Sequence, residues 1–392
     1  MRGDVAVIGA GHTVFGDHPE KTYPQLFAEA FWDAIESVDK GIEPKEIKAA
    51  FIGTLGSGGS QLGNLSAAIT GDLRLIPIPA IRVENACASS GFAFMLGVTS
   101  IVAGLYDVVL VGGVEKMRDV AGLRGRYWLG VSGDTIWERL AGTTFPGMYA
   151  LIATKHMEQY GTKREHLAMV AVKNHQYGAD NPKAQLRRKI NVETVLRSPL
   201  VAGPLTLYDC CPTSDGATAV IICRSEIAKR YTDTPVYVIG VGAGTDYLAV
   251  YEREDLTALK ATVVAAEQAY KMAGLEPKDI DLAEVHDCFT IAELVAYEDL
   301  RFCKKGEGGK LIEEGQTYIG GEIPVNVSGG LKSKGHPIGA TGTSQIYEIF
   351  KQLRNEAEER SRQVPDAKIG LTHNVGGSGG TCVVHILSVR RW

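Results

Sequence analysis

The sequence predicts an α/β protein made of two copies of one fold. Segments typical of strands alternate with segments typical of helices, and two stretches recur in the same order. Residues 5–11 (VAVIGAG) return as 236–242 (VYVIGVG), and residues 41–47 (GIEPKEI) return as 274–280 (GLEPKDI). Two ordered matches at nearly the same offset indicate an internal duplication.

Each copy contains a helix before its Glu-Pro turn and a strand at its end. Apolar residues recur at helical spacing in both helices: Leu26, Phe27, Ala30, Phe31, Ala34 and Ile35 in the first, and Val263, Val264, Ala266, Ala269, Tyr270 and Ala273 in the second. The closing strands are 216–222 and 380–386. Strands that alternate with helices indicate βαβ units and a sheet covered on both faces.

One segment has no counterpart in the second copy. Residues 118–205 carry aromatic, Met and basic clusters on predicted helices at 147–160 and 164–178. We therefore expect an N-terminal half at 1–117 plus 206–232, an inserted domain at 118–205, and a C-terminal half at 233–392. Long insertions in compact folds are usually functional, so this one is expected to cover a site.

Composition indicates an ordinary soluble protein. The 392 residues are 45% hydrophobic and 22% charged, and the net charge of −5 argues against nucleic-acid binding. Seven cysteines form no regular framework and no Cys-x-x-Cys pair, which favours a reducing cytoplasm and argues against structural zinc. The short lead into the first strand leaves no room for a signal peptide, and no peroxisomal Ser-Lys-Leu address ends the chain.

One apolar stretch has the length of a membrane span. Residues 92–114 contain a single charged side chain, Asp107. The Gly-Leu-Tyr-Asp at 104–107 divides the stretch into a predicted buried helix at about 90–103 and a strand at 108–111, so we expect no membrane span.

Cys87 lies between an extended apolar stretch and a long helical one. Unpaired backbone N–H groups and the positive end of the helix dipole face a side chain at that junction, and both lower a thiol pKa. This position favours a nucleophile, whereas a free cysteine is also often a small buried hydrophobe.

Two histidine segments occupy comparable positions in the second copy. His286-Asp287-Cys288-Phe289 follows a predicted strand at 281–285, at the end where open α/β sheets bind ligands, although packing would also explain it. His336 lies in the glycine-rich segment 329–342, after a predicted strand at 324–327, in the slot that Cys87 holds in the first copy. A histidine there can take a proton from a thiol and donate to an oxyanion.

The glycine-rich segment 373–380 (HNVGGSGG) lies between the last two predicted strands. Such a loop can aim backbone N–H groups at a developing oxyanion. It could equally bind a phosphate or form a tight turn.

Together these motifs resemble the thiolase superfamily over essentially the whole chain. The resemblance implies two duplicated βαβαβαββ halves in a five-layered αβαβα core, an inserted loop domain, and chemistry on coenzyme A thioesters without another cofactor or a metal. The common thiolases carry Asn-Glu-Ala-Phe where this chain has residues 286–289, and a cysteine where it has Asn374. These departures are similar to the archaeal acetoacetyl-CoA thiolases and the sterol-carrier-protein-type thiolases.

The resemblance implies an acetyl-CoA C-acetyltransferase that condenses two acetyl-CoA to acetoacetyl-CoA and CoA, feeding HMG-CoA, mevalonate and isoprenoid synthesis. It implies that His336 helps to deprotonate Cys87, which holds the acetyl group, and that Cys288 removes the α-proton of the second acetyl-CoA. His336 and His286 would bind the enolate oxygen. The backbone N–H groups of Cys87 and Gly376 would bind the other oxyanion.

Partners follow from the same reasoning. Coenzyme A is anionic, so the basic residues Arg187, Arg188 and Lys189 are expected to contact it, although they could be only a solvated face. The family implies a homodimer or homotetramer, and the archaeal members imply a complex with HMG-CoA synthase and a small OB-fold, zinc-bearing protein.

Three alternatives remain. A nicotinamide-binding enzyme is disfavoured because the glycines after the first strand of each copy do not complete Gly-x-Gly-x-x-Gly. A degradative thiolase for longer or branched 3-ketoacyl-CoA would use the same motifs. A non-catalytic scaffold would keep the fold and lose the chemistry.

Overall fold

The computed structural model of the chain describes residues 2–120 and 122–391. Eleven strands and eleven α-helices follow one another in these ranges. In chain order they are β1 (Val5–His12), α1 (Tyr23–Glu36), β2 (Ala49–Gly53), α2 (Leu65–Asp72), β3 (Ala80–Val83), α3 (Ser89–Val102), β4 (Val108–Lys116), α4 (Gly122–Gly130), α5 (Phe145–Tyr160), α6 (Arg164–Asp180), α7 (Val192–Leu196), β5 (Leu200–Ala202), β6 (Leu205–Thr206), β7 (Asp215–Arg224), β8 (Val236–Thr245), α8 (Lys260–Ala273), β9 (Leu282–Glu284), α9 (Thr290–Asp299), α10 (Gly308–Glu313), α11 (Thr341–Leu353), β10 (Ile369–Gly376) and β11 (Thr381–Ser388).

The duplication is visible in the order of the strands. Nine of them form one sheet in the order β3-β2-β4-β7-β1-β8-β11-β10-β9, and the two copies meet at the antiparallel pair β1–β8. Counted outward from that pair, β1, β7, β4 and β2 correspond to β8, β11, β10 and β9. The predicted strand at 324–327 is reduced to one bridge between Val325 and Ala283, in the place that corresponds to β3.

Side-chain alternation along the strands creates the five layers. On β1, Val5 and Val7 join an apolar cluster with α3 and α11, whereas Ala6 and Ile8 join a second cluster with α1 and α8. Successive side chains of a strand point to opposite faces, so each half of the sheet carries helices on both of its faces. Helices α3 and α11 contact strands of both halves, and α1 and α8 cover the outer faces. The predicted αβαβα core is confirmed.

The two central helices approach each other closely at their N-termini. A methyl group on Gly342, at the start of α11, would lie 2.2 Å from the backbone nitrogen of Gly91 in α3. Only glycine permits this approach of backbones. Because the loops that precede α3 and α11 carry Cys87 and His336, the crossing brings these two residues together.

The segment without a counterpart folds as helices α4 to α7 and the short strands β5 and β6. Its two long predicted helices appear as α5 and α6. Lys173 and Asn174 of α6 attach the segment to the second half, because the Lys173 ammonium lies 2.5 Å from a Glu293 carboxylate oxygen and the Asn174 amide donates to Asp287 at 2.7 Å. The domain boundaries within the chain remain a prediction.

The long apolar stretch at 92–114 divides as the sequence predicts. Its first part lies in α3 and its second part in β4, and the two are separated by a turn at 103–107. Within 2–120 and 122–391, none of the helices combines the length and apolar character needed to cross a bilayer.

Candidate active site

Three sequence-predicted residues meet in the structure. The Cys87 sulfur and one ring nitrogen each of His286 and His336 lie within 4.8 Å of one another. The two imidazole rings are 5.1 Å apart between centroids and nearly perpendicular. A sulfur and two imidazole nitrogens are also ligand types that zinc accepts, so the expectation of no metal stays a prediction.

The backbone before α3 is strained where it presents Cys87. Ala86 adopts a left-handed conformation with a φ of 49°, which costs a residue with a Cβ atom on the order of 1 kcal/mol. Hydrogen bonds hold this turn, because the Ser89 hydroxyl accepts from the Asn85 N–H and donates to the Ala86 carbonyl. The turn thereby fixes the sulfur at the start of the helix.

A partly open pocket adjoins Cys87. It has a volume of about 130 Å³ and is lined by both halves and by the inserted segment. Leu129, Phe145 and Tyr149 of the insertion form part of its wall, so this segment covers the site as expected. The remaining lining includes Cys87, Met117, Cys210, Cys211, Cys288, Phe289, His336, Ile338 and Gly377.

The Cys87 thiol has a higher pKa than its position at a helix start predicts. Burial raises the pKa of Cys87 to about 12, and nearby Glu115 acts in the same direction. The N–H groups of Gly377 and of Cys87 itself favour the thiolate but do not compensate for the lost solvation. The thiol is therefore neutral in the resting pocket and needs a base.

His336 is oriented as that base. Its Nδ1 lies 2.7 Å from the Thr341 hydroxyl, and this hydroxyl donates its own proton to the Pro337 carbonyl. The hydroxyl must then accept from Nδ1–H, which leaves Nε2 unprotonated. Burial lowers the pKa of His336 to about 3, so the ring is neutral and can accept a proton.

His286 has the opposite tautomer. The Asn374 amide donates to the Cys87 carbonyl at 3.0 Å and lies 3.4 Å from His286 Nδ1. Since an amide N–H₂ can only donate, His286 Nδ1 accepts and Nε2 carries the proton. That Nε2 is buried and has no hydrogen-bond partner among the described residues, and burial together with the neighbouring histidines lowers the pKa of the ring. His286 is thus a neutral donor ready for a substrate oxygen.

The second thiol, Cys288, lines the same pocket. It is 5% exposed, and burial followed by the adjacent Cys211 and Cys87 raises its pKa well above the ordinary value. Its position is fixed through the backbone, because the Cys211 N–H donates to the Cys288 carbonyl at 3.0 Å. All seven cysteines are free.

The glycine loop contributes a residue adjacent to the predicted one. Gly376 is the last residue of β10 and pairs with Thr381, whereas Gly377 lines the pocket with its N–H at the Cys87 sulfur. His373 and Asn374 lie within β10 itself and not in a loop. The part of the segment that turns is 377–380, where Gly377 and Gly379 have positive φ angles.

Two buried carboxylates organise the loops around the pocket. Glu115 accepts backbone N–H groups from residues 55–57 and from Gly339, which joins the two halves beside His336. Asp287 accepts from the N–H groups of Leu331 and Lys332 in the segment that leads to His336. The sequence reasoning assigned no role to either, although an acidic residue at the end of an apolar strand, as in Glu115, is a usable signal.

The predicted basic segment lies apart from the pocket. Arg187, Arg188 and Lys189 are exposed and do not line it, and Lys189 lies 3.9 Å from Asp180. A groove of about 550 Å³ adjoins the pocket and shares Leu129, Phe145 and Pro146 with it. Arg126 and Arg139 of the insertion line this groove, and the sequence motifs indicate neither of them.

Comparisons with known proteins agree with this architecture. Residues 5–226 match the family described as "Thiolase, N-terminal domain", and residues 242–389 match "Thiolase C-terminal domain-like". The chain is 48% identical over 386 residues to an acetyl-CoA acetyltransferase of Methanothermobacter thermautotrophicus, covering 98% of this chain and 99% of that protein. It is 44% identical to an acetyl-CoA acetyltransferase of Methanocaldococcus jannaschii, covering 99% and 100%.

A solved structure described as "Ltp2-ChsH2(DUF35) aldolase" superimposes with a TM-score of 0.87 at 25% identity, covering 100% of this chain and 99% of that one. The fold and the sequence relatives together define the chain as an α/β acyltransferase. It belongs to the thiolase family.

Proposed function

We propose that this enzyme condenses two molecules of acetyl-CoA to acetoacetyl-CoA and CoA through an acetyl-Cys87 intermediate. One observation carries the proposal: Cys87 and Cys288 line one pocket together with His336, a neutral proton acceptor, and a ring nitrogen of His286, a neutral donor, lies within 4.8 Å of the Cys87 sulfur. A condensation needs both a nucleophile for the first acyl group and a base for the second, and this pocket offers both.

The first half-reaction transfers the acetyl group to sulfur. His336 Nε2 takes the Cys87 proton while the sulfur attacks the thioester carbonyl. The N–H groups of Cys87 and Gly377 donate hydrogen bonds to the negatively charged oxygen that results. Cys288 gives its proton to the departing CoA sulfur. The products are free CoA, acetyl-Cys87, a Cys288 thiolate and a protonated His336.

The second half-reaction forms the carbon–carbon bond. The Cys288 thiolate takes a proton from the α-carbon of the second acetyl-CoA, and the enolate oxygen accepts hydrogen bonds from His286 Nε2–H and protonated His336. The enolate carbon attacks acetyl-Cys87, the Cys87 sulfur leaves, and it recovers its proton from His336. Each residue returns to its initial state, so the balance is two acetyl-CoA for one acetoacetyl-CoA and one CoA.

The size of the pocket favours short acyl groups. Its volume of about 130 Å³ is below the range of roughly 300–1,000 Å³ typical of sites for drug-sized ligands, and Met117, Phe289 and Ile338 close it. This supports acetyl and acetoacetyl groups over the longer or branched chains of a degradative thiolase. Thiolysis rates with acetoacetyl-CoA and with longer 3-ketoacyl-CoA compare the two directly, and faster cleavage of the longer chains would favour the degradative function.

The roles of the two thiols are tested separately. With radiolabelled acetyl-CoA, Cys87→Ala should carry no label. Cys288→Ala should still acquire the label, because the CoA sulfur can leave as a thiolate and take its proton from water, yet this variant should form no acetoacetyl-CoA. Labelling that persists in Cys87→Ala would contradict the proposed intermediate. A wild-type protein that neither takes up label nor cleaves acetoacetyl-CoA would instead support the scaffold alternative.

We also propose that the groove beside the pocket receives the anionic part of coenzyme A. Arg126 is exposed and Arg139 is half-buried in this groove, whereas Arg187 and Arg188 are exposed and line neither the groove nor the pocket. Removing either groove arginine should raise the KM for acetyl-CoA with little change in kcat. Arg187→Ala is the matched control. A larger rise in the KM for acetyl-CoA in Arg187→Ala would indicate that residues 187–189 bind coenzyme A instead.

We further propose a metabolic pathway and partner proteins for this enzyme. Condensation is uphill, so a reaction that consumes acetoacetyl-CoA, such as an HMG-CoA synthase leading to mevalonate and isoprenoids in the cytoplasm, would draw it forward. The solved structure described as an aldolase with DUF35 supports an additional partner protein, and we propose that this partner is small, with an OB-fold and a zinc site. Exposed apolar side chains on the insertion, including Leu123, Trp137 and Leu140, offer it a surface. Co-elution of the three purified proteins tests the complex.

A homo-oligomer is supported by the edge of the sheet. Strand β3 pairs only with β2 within the described residues and exposes Ile81, and free strand edges are commonly covered by another chain. Light scattering should give the mass of a dimer or tetramer.

A further inference from the structure

A tyrosine of the inserted segment reaches the centre of the pocket. Tyr149 lies on α5, is 1% exposed and stacks on Phe289 with ring centroids 4.6 Å apart. Its hydroxyl donates to the Gly377 carbonyl at 3.2 Å, and Tyr149 lines the same pocket as Cys288, whose thiolate it favours. It therefore lies between the loop that serves Cys87 and the second thiol.

The hydroxyl has one proton and two acceptors. While Cys288 is a neutral thiol, the Tyr149 proton bonds the Gly377 carbonyl, and the thiol S–H can donate to the phenol oxygen. Once Cys288 is a thiolate, the S–H donor is gone and the sulfur becomes the stronger acceptor, because hydrogen bonds to charged acceptors are roughly twice as strong as neutral ones. Rotation of the Tyr149 hydroxyl about its C–O bond is enough to turn its proton from the Gly377 carbonyl to the Cys288 sulfur.

The Gly377 loop does not depend on the tyrosine alone. Arg253 donates to the Ser378 carbonyl at 2.7 Å, and the Ser378 hydroxyl donates to the Leu248 carbonyl at 3.1 Å. The loop thus keeps its position when the Tyr149 proton turns away from the Gly377 carbonyl.

We propose that Tyr149 is a positioning residue for the second half-reaction, whose hydroxyl turns from the Gly377 carbonyl to the Cys288 sulfur and stabilises the thiolate that removes the α-proton. This rests on the proposed function of Cys288. It assigns to the inserted segment a part in the chemistry in addition to covering the pocket.

The groups that surround Cys288 and Tyr149 determine the direction in which the pKa of each side chain shifts. Cys211, Cys87 and Asp287 face Cys288 and disfavour its thiolate, whereas Tyr149 favours it. Cys288, Cys87 and Arg253 face Tyr149, and burial keeps the pKa of the phenol well above its usual range. The phenol therefore stays protonated and able to donate at every pH at which the enzyme works.

The test is Tyr149→Phe, which keeps the ring that stacks on Phe289 and removes only the hydroxyl. We expect acetyl labelling of Cys87 to stay within about threefold of wild type. Deuterium exchange into the methyl group of acetyl-CoA, and condensation, should fall by about 10- to 100-fold, the size expected for a lost hydrogen bond to a charged group. Equal losses in labelling and exchange, or no loss in either, would overturn the proposal.

Tyr270→Phe is the matched control for lost stability. Tyr270 is also buried and its hydroxyl also donates to a carbonyl, that of Leu300 at 3.0 Å, but it does not line the pocket. This variant should show wild-type exchange. If its exchange falls as far as that of Tyr149→Phe, the effect is general destabilisation and the positioning role is wrong.

A second measurement is independent of turnover. In a Cys87→Ala background, the pH dependence of Cys288 alkylation by iodoacetamide reports the pKa of this thiol directly. Adding Tyr149→Phe should raise that pKa by about one unit or more, the size expected for a lost hydrogen bond to a charged group. An unchanged alkylation profile contradicts the inference even if the enzyme condenses acetyl-CoA. A shifted profile in a protein that does not condense supports the contact and rejects only the proposed function.

Discussion

At the scale of single residues, the pocket holds its reactive groups in their neutral forms. Burial raises the pKa of the Cys87 thiol to about 12 and lowers the pKa of His336 to about 3. In the proposed reaction, charge therefore develops only during turnover, next to the N–H groups of Cys87, Gly377 and His286. Donors already in place need no reorganisation, which is the main source of catalysis by such sites.

The neutral state of Cys87 gives a prediction about pH. A raised thiol pKa leaves little thiolate at pH 7, and the thiolate fraction grows about tenfold with each pH unit below the pKa. The rate of Cys87 alkylation in a Cys288→Ala background should therefore keep rising from pH 7 to pH 9. Peptide mass spectrometry separates Cys87 from the other thiols. A rate that is already constant below pH 7 would indicate a thiolate–imidazolium pair.

At the scale of elements, the site depends on how closely α3 and α11 approach. The loops before these helices carry Cys87 and His336, so the separation of the helix starts sets the separation of the two side chains. Gly91 and Gly342 face each other at this crossing, and Asn374, which orients His286, lies against both.

Gly342→Ala should therefore impair both stability and activity. The added methyl group would lie 2.2 Å from the Gly91 nitrogen and 2.4 Å from the Asn374 side-chain oxygen, and the first of these is backbone. Overpacking of this kind costs about 1–3 kcal/mol. Chemical denaturation should show that loss, and acetyl labelling should fall by more than tenfold because Cys87 and His336 separate.

Gly71→Ala is the control, because it makes the same substitution at a position with free space around it. Gly71 lies in α2 with nothing within 4 Å of an added methyl group. Alanine is the better helix former by about 1 kcal/mol, so this variant should be as stable as wild type or more stable. Equal stability and equal acetyl labelling of Gly342→Ala and Gly71→Ala would mean that the α3–α11 crossing does not constrain the site.

At the scale of the whole molecule, the inserted segment is attached to the second half by a buried polar cluster. Lys173 of α6 is fully buried against Glu293 of α9 and also donates to the Val325 carbonyl. Asn174 and Asn326 donate to the other Glu293 oxygen. This cluster lies beside Asp287, so the attachment of the insertion and the placement of residues 286–289 depend on the same contacts.

Lys173→Met should destabilise the whole chain. It keeps most of the side-chain volume but leaves the Glu293 carboxylate buried without its cation, which typically costs about 3–5 kcal/mol. Lys155→Met is the control, because Lys155 forms only an exposed pair with Glu158 and should change stability by less than about 1 kcal/mol. The free energy of unfolding in denaturant measures both. Equal values for the two variants would show that the buried cluster does not attach the insertion.

The sequence by itself predicted the duplicated α/β fold, the segment without a counterpart, and four candidate residues, Cys87, His286, Cys288 and His336, which the structure places in or beside one pocket. Repeats, alternation and residue type are written along the chain and need no knowledge of contacts. The tertiary structure decided the protonation of these groups, because a pKa depends on burial and on partners distant in sequence. It also placed the Gly377 N–H at the Cys87 sulfur, Tyr149 in the wall of the pocket and Glu115 against Gly339. The partners of these residues are distant in sequence, so residue type and spacing along the chain do not predict the contacts.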